Sequence, residues 1–251
     1  MYYYDLVLMI YMKKIIRRIF NRFNLDIRKF NPQSDSMSQI FKAISAVNTN
    51  LIFDIGANAG QFTSELKTRG YRGKVVSFEP LTSARDKLIK EASKHSNWIV
   101  HKRAAIGNYC GNIEINVSNN SVSSSILPML NSHTKAAPDS VYVHKEKTPL
   151  ITLDSIYGEY ICETSNLFLK LDTQGYESFV LDGASKTLNK ANGIICELSL
   201  IPLYEDQVLW RDIIERLEKD GFILWSLLKG FTDPQNGRSL QVDAVFLKKL
   251  K

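Results

Sequence analysis

Leu51-Ile-Phe-Asp-Ile-Gly-Ala-Asn-Ala-Gly60 is the stretch on which the fold turns. Leu51 to Ile55 is a short apolar run, suited to a strand buried on both faces. Gly56 and Gly60 then allow a tight turn and close backbone approach to a ligand. Downstream, Gln61 to Arg69 reads as a helix closed by Gly70, and Lys74-Val-Val-Ser-Phe-Glu79 as a second strand ended by Pro80. Ser83 to Lys94 reads as a helix and Trp98 to Lys102 as a third strand. Strands alternating with helices in this way predict a parallel, doubly wound α/β sheet with the turn after Ile55 at its ligand-binding edge.

Upstream, Ser38 to Val47 reads as a helix. Beyond the third strand the pattern changes: Gly111 to Val117 alternates apolar and polar residues and runs into Ser121-Val-Ser-Ser-Ser125, an inserted hairpin and loop. Alternation resumes with Leu167 to Asp172, a helix from about Ser178 to Asn189, Gly193 to Glu197, and a helix from Trp210 to Lys219. Phe222 to Leu228 and Asp243 to Leu247, joined across the turn-rich Asp233-Pro-Gln-Asn-Gly237, predict a closing antiparallel hairpin. A plain dinucleotide-binding fold does not normally finish that way, whereas the seven-stranded sheet of methyltransferases does.

The glycine turn excludes two common ligands. A dinucleotide fingerprint needs a middle glycine so that the backbone can approach a pyrophosphate, and Asn58 stands there; no Gly-Lys-Ser/Thr follows, so a P-loop fails as well. S-adenosylmethionine has no phosphate. It offers an amino-acid end, a ribose diol, an adenine and a sulfonium cation, which suit carboxylates and carbonyls. Glu79, at the end of the second strand, stands where an acid can accept both ribose hydroxyls.

The combined motifs Ile52-Phe-Asp-Ile-Gly-Ala-Asn-Ala-Gly60, Phe78-Glu-Pro80, Arg103-Ala-Ala-Ile-Gly107, Thr152-Leu-Asp-Ser155, Lys170-Leu-Asp-Thr-Gln-Gly-Tyr-Glu177 and Glu197-Leu198 resemble FkbM-type methyltransferases over about residues 50–247. The resemblance implies a Rossmann-like class I fold, S-adenosylmethionine as donor, and O-methylation of sugars or natural products. With the turn and Glu79 read above, and Ser125 from a serine loop suited to line the cofactor or acceptor mouth, the expected cofactor site is Asp54, Gly56, Ala57, Asn58, Gly60, Glu79, Pro80, Ala104, Ala105 and Ser125. Ala104 and Ala105 would lie near the adenine and Asn58 near the methionine end. The family commonly carries glutamate where this chain has Gln174.

Methyl transfer to an alcohol needs positioning and removal of a proton. Asp172, ending the fourth strand of the sheet, is the preferred general base, with Glu177 and Glu197 sharing the rim. These acids are alternatively ligands for a divalent cation, although no compact motif demands a metal. Glu177 also suits a helix N-terminus, and Lys170 an ion pair within the sheet. His101 fits no triad or ligand pattern, while His133 and His144, in the inserted region, are candidates to touch an acceptor. The serine loop at 121–125 is a candidate lid or a solvated loop.

The charge is local. Residues 1–30 hold Lys13, Lys14, Arg17, Arg18, Arg22, Arg28 and Lys29 against Asp5 and Asp26; totals of 32 basic and 26 acidic residues leave 25 and 24 elsewhere. A general nucleic-acid footprint is therefore absent. Residues 1–36 read as an extension and 37–251 as the methyltransferase domain. In the extension, Ile15, Ile16, Ile19, Phe20 and Phe23 fall on one helical face and the basic residues on the other. Such a helix lies on an anionic membrane or packs on its own domain with the basic face solvated. The first suits a lipid-linked glycan; the expected acceptor is a small molecule or a glycan. Cys110, Cys162 and Cys196 match no metal spacing and, without a recognisable signal peptide, point to a reducing cytoplasm. Two rival functions remain at this point: a nicotinamide-dependent oxidoreductase with a modified turn, and a non-catalytic binding protein on a methyltransferase fold.

Overall fold

A computed structural model describes residues 2–25, 32–33 and 35–249. The chain divides into two compact units, residues 1–39 and 40–251. The first contains helix α1 (Tyr2–Asn21) and the start of α2 (Ser36–Ala46). Asp35 Oδ2 accepts the amide of Ser38 at 2.7 Å there, a side-chain cap for one of the orphan donors of α2.

In the second unit the chain runs β1 (Leu51–Ile55), α3 (Gln61–Thr68), β2 (Lys74–Phe78), α4 (Thr82–Ala92), β3 (Trp98–Val100), β4 (Ala105–Ile106) and β5 (Gly111–Ser118). It continues with α5 (Asn131–Ala136), β6 (Tyr142–Ile151), α6 (Tyr157–Tyr160), β7 (Leu167–Leu171), α7 (Glu177–Asp182) and α8 (Ser185–Lys190). Strand β8 (Ala191–Ser199), helix α9 (Trp210–Lys219) and the hairpin β9 (Phe222–Lys229) and β10 (Gln241–Lys248) complete it.

One sheet has seven strands in the order β3-β2-β1-β7-β8-β10-β9. The first five are parallel, and β10 runs antiparallel between β8 and β9. This is the expected α/β sheet with its closing hairpin. Strands β1 and β7 are buried at every position, as their near-continuous apolar sequences require of central parallel strands. Phe53, Phe78, Leu169, Leu171 and Phe246 from the sheet share a core with Val180, Leu181 and Leu217 from the helices. Full burial of side chains this size is worth roughly 1.5–3 kcal/mol each.

Three local expectations differ. The helix foreseen from Ser178 to Asn189 is two short helices. At the break a side chain on Gly183 would collide with the Gly107 carbonyl, and Asp154 caps the second helix by accepting the amides of Lys186 and Thr187 at 2.8 Å. The third strand stops at Val100, although the His101 amide still donates to the Ser77 carbonyl of β2 at 3.0 Å. The inserted hairpin is part of a separate three-stranded sheet ordered β4-β6-β5, and its middle strand, with His144, Lys145, Glu146 and Lys147 in succession, gave no alternating apolar signal in sequence.

Candidate active site

The site lies where β1 and β7 neighbour each other and the strand order departs in opposite directions. Open α/β sheets bind ligands outside such a switch point. Asp54, in β1, is fully buried. Its Oδ2 accepts hydrogen bonds from Thr63 Oγ1 at 2.9 Å and Ser77 Oγ at 3.3 Å, and Ser77 in turn accepts the Trp98 indole N–H at 2.9 Å. Lys170 Nζ stands 3.3 Å from Asp54 Oδ1 and 3.3 Å from Asp172 Oδ2, and donates to the Gly56 carbonyl at 2.8 Å. Burial works to lower the lysine's pKa, but Asp172 and Asp54 beside it hold it above the ordinary range. One buried ammonium thus ties the glycine turn to both strands.

The turn's glycines do something other than open space for a ligand. Both have left-handed backbone, φ +73° at Gly56 and +89° at Gly60. A Cβ at Gly56 would collide with the carbonyl oxygen of Asp172, and one at Gly60 would lie 2.8 Å from the Trp98 ring and 2.9 Å from Leu88. The expected close approach is therefore made by protein atoms, which lock β1 against β7 and α3 against the sheet. Asn58, with φ +46°, keeps its side chain, tolerable because asparagine adopts this conformation readily.

Glu79 is also built into the turn. Its Oε2 accepts the amide of Asn58 at 2.7 Å and its Oε1 the amide of Leu81 at 2.8 Å. It is 4% exposed, and burial pushes its carboxyl up to about 7 against the pull of those two amides. Pro80 adjoins it, with its carbonyl accepting Arg103 Nη1 at 3.1 Å. Ala57 and Ala104 are buried beside these turns. Ala105 pairs with Leu150 in the small sheet and packs with Leu81, Ile115 and Val117, so its side chain serves that core.

The acids form a second cluster. Asp172 follows β7, and its side chain is 39% exposed. Gln174 Nε2 donates to Asp172 Oδ1 at 2.9 Å and to Glu197 Oε2 at 2.8 Å, while Gln174 Oε1 accepts the Tyr204 hydroxyl at 2.9 Å. Gln241 Nε2 donates to the same Glu197 oxygen at 2.6 Å. Asp243, in β10, pairs in register with Glu197 in β8. Burial, then repulsion from Asp172, Glu177 and Asp243, raises Glu197 well above the ordinary carboxylate range; burial and Asp172 push Asp243 up to about 6. Gln174 carries all this at φ +54°, a conformation uncommon for glutamine, held by its three side-chain bonds.

Glu177 belongs to the turn more than to the rim. Its Oε1 accepts the Thr173 amide at 2.8 Å, the Thr173 hydroxyl at 3.1 Å and the Gly175 amide at 3.3 Å. It is 4% exposed, and burial pushes it up to about 7. The serine loop closes over the two clusters. Asn58 Nδ2 donates to Ser121 Oγ at 3.4 Å, Tyr204 to the Ser123 carbonyl at 3.3 Å, and buried Ser125 to the Gln174 carbonyl at 2.6 Å. His133 is 2% exposed, bonded to Ser140 and packed between the Tyr204 and Phe231 rings, so it is a core histidine. His144 faces Glu146 at 3.6 Å on β6, and His101 bonds the Tyr160 hydroxyl at 2.7 Å.

Tyr204, Gln241 and Asp243 escaped the sequence reading. Asp243 had a usable signal: it opens an apolar run that the hairpin places beside the run ending at Glu197. Among the described residues, no group of three or more His, Cys, Asp or Glu has an arrangement able to hold a metal ion.

Sheet order, switch-point turn and acidic rim define a class I, S-adenosylmethionine-binding methyltransferase fold. Residues 54–224 match the methyltransferase FkbM domain, and the chain belongs to that family. No curated protein matches the sequence. Solved structures of similar fold include magnesium protoporphyrin IX methyltransferase from Synechocystis PCC 6803 with bound S-adenosylmethionine (13% identity, TM-score 0.46, 94% of this chain and 97% of that one). An rRNA methylase from Streptococcus thermophilus is similar at 11% identity and TM-score 0.45, over 88% and 99% of the two chains. TrmK from M. capricolum, in complex with S-adenosyl-homocysteine, is similar at 10% identity and TM-score 0.47, over 86% and 69%. Family membership replaces the nicotinamide alternative.

Proposed function

We propose that this chain is an O-methyltransferase whose acceptor is a hydroxyl of a sugar, glycan or natural product, with Asp172 as the base. The donor set suits S-adenosylmethionine. The turn, with its glycine faces filled by protein, suits a ligand without phosphate. The turn around Asn58, shaped from behind by Asp54 and Glu79, and the serine loop anchored by Ser125 would hold and enclose it. When bound, it supplies an electrophilic methyl group. The acid side chains then have to orient an alcohol and take its proton.

The observation that carries this reading is Asp172 itself. Among the rim acids it combines a solvent-facing carboxylate with two fixed neighbours, Lys170 on Oδ2 and Gln174 on Oδ1. Proton transfer falls to Oδ1, the oxygen not paired with the ammonium. Glu197, protonated more readily because of its buried acidic surroundings, donates to or accepts from a second acceptor hydroxyl. The serine loop excludes water from the site. The sugar-like acceptor rests on the family likeness.

The test supplies the protein with methyl-labelled S-adenosylmethionine and a panel of glycan and phenolic acceptors. Asp172→Asn should reduce turnover by about 10²–10⁴-fold while donor affinity in calorimetry changes little. Label on nitrogen or carbon, or a variant as fast as the parent, would remove Asp172 from the reaction. Absence of donor binding by the folded protein would favour a non-catalytic binding role.

A further inference from the structure

The structure points to a second working surface, and we propose that α1 docks the protein on an anionic lipid bilayer, lying flat in the headgroup layer. The helix runs Tyr2–Asn21, and its end is described through Leu25. Met12, Ile15, Ile16, Ile19 and Phe20 fall on one side at helical spacing and are 53%, 41%, 43%, 51% and 37% exposed. Phe23, just past the helix, is 72% exposed. Isolated exposed apolar residues are ordinary, but a continuous stripe of six marks a surface that meets an apolar phase.

Charge selects the occupant. Lys13, Lys14, Arg17 and Arg18 fall on the opposite side, with Arg22 after the helix, and the sequence from Leu6 to Leu25 contains no Asp or Glu. A helix docking on a protein groove needs its apolar stripe alone. A bilayer with anionic headgroups rewards both faces, the stripe in the acyl boundary and the basic side chains snorkelling to phosphates. Among the described residues, no helix is long and apolar enough to cross a membrane, so α1 is read as lying on the surface. Residues 31–251 are close to charge-neutral, which places the attraction in this one segment.

The experiment is sedimentation of the full chain with vesicles of phosphatidylcholine, alone or mixed with phosphatidylglycerol, at low and high salt. Binding should be at least tenfold tighter to the mixed vesicles and should weaken with salt. Ile16→Glu with Ile19→Glu should abolish it. Lys13→Glu with Lys14→Glu should weaken it by about 30-fold or more, each basic side chain near an anionic surface being worth roughly a factor of five. Circular dichroism and S-adenosylmethionine titration of both variants, unchanged from the parent, exclude misfolding as the cause. Equal binding to both vesicle types overturns the proposal. So does failure to bind either type, including the case in which light scattering shows a dimer that the Ile16/Ile19 variant dissociates, since the stripe then belongs to a second copy.

Discussion

The two halves of the site are built on opposite principles. Around the glycine turn the important polar groups are committed to the protein's own atoms: Glu79 to two backbone amides, Lys170 to the Gly56 carbonyl, Asp54 to two hydroxyls and the ammonium. Around the rim, carboxylates are bound by amide side chains and by one another's fields, with Gln174 and Gln241 as donors. The first half fixes a shape before any ligand arrives. The second holds several acids whose protonation depends on their neighbours, which is the arrangement proton transfer requires. On the proposed function, binding falls to the first half and chemistry to the second, on either side of the boundary between β1 and β7.

That separation can be broken most violently at Gly56. Gly56→Ala puts a methyl group into the Asp172 carbonyl at a backbone angle that alanine resists, joining the two halves by collision. A loss of about 4 kcal/mol or more is expected, enough to unfold many domains, and thermal unfolding will read it. A stable variant with ordinary donor binding would mean the turn is not locked to β7. Next in size is Glu79→Gln. An amide accepts at one oxygen only, so either Asn58 N–H or Leu81 N–H loses its partner. The expected cost is roughly 1–3 kcal/mol with weaker donor binding, measured by denaturant titration and calorimetry.

The contrast also governs what the sequence reveals. The turn is local: Asp54, Gly56, Asn58 and Gly60 lie within seven residues, and Glu79 ends the next strand, so spacing alone brings them together. Even so, spacing assigned the glycines to a ligand, because the carbonyl of Asp172 that fills Gly56's empty side is more than a hundred residues away. The rim is assembled by topology. Asp243 reaches Glu197 only because β10 inserts antiparallel beside β8, and Tyr204 reaches Gln174 from an irregular segment with no periodic signal. Ala105 illustrates the same limit: a two-residue strand, drawn into a sheet whose middle strand has no alternating apolar pattern.

Gln174 is where the rim can be sharpened. Gln174→Glu restores the residue usual in the family and removes an amide donor shared by Asp172 and Glu197. A third carboxylate between them should raise the apparent pKa of the group, so the acid limb of the pH–rate profile moves upward by about one unit and turnover near neutrality falls by roughly tenfold. The donor's dissociation constant should move much less, because the turn is untouched. An unshifted profile would show that Gln174 does not couple the two acids, and a matching loss in donor affinity would show that the halves are one unit.

The gentlest test concerns Glu177, which spans both regions in character: it caps a turn, yet lies in the field of Asp172. Its carboxyl titrates near 4.5 when unfolded and about 7 in the folded protein, so the folded state holds a proton that the unfolded state has released between those values. Its contribution to stability is therefore complete below about 4.5 and declines as pH rises through 7. Glu79 and Asp243, raised for the same reason, add slopes of the same sign. Glu177→Gln keeps an oxygen for the Thr173 and Gly175 amides but removes the ionisation. Melting temperature followed from pH 4.5 to 7.5 should fall for the parent, and the variant's curve should be flatter, with the two closest at the acidic end. If the variant instead loses stability equally at every pH, the oxygen's geometry matters and its proton does not, placing Glu177 wholly with the rigid half.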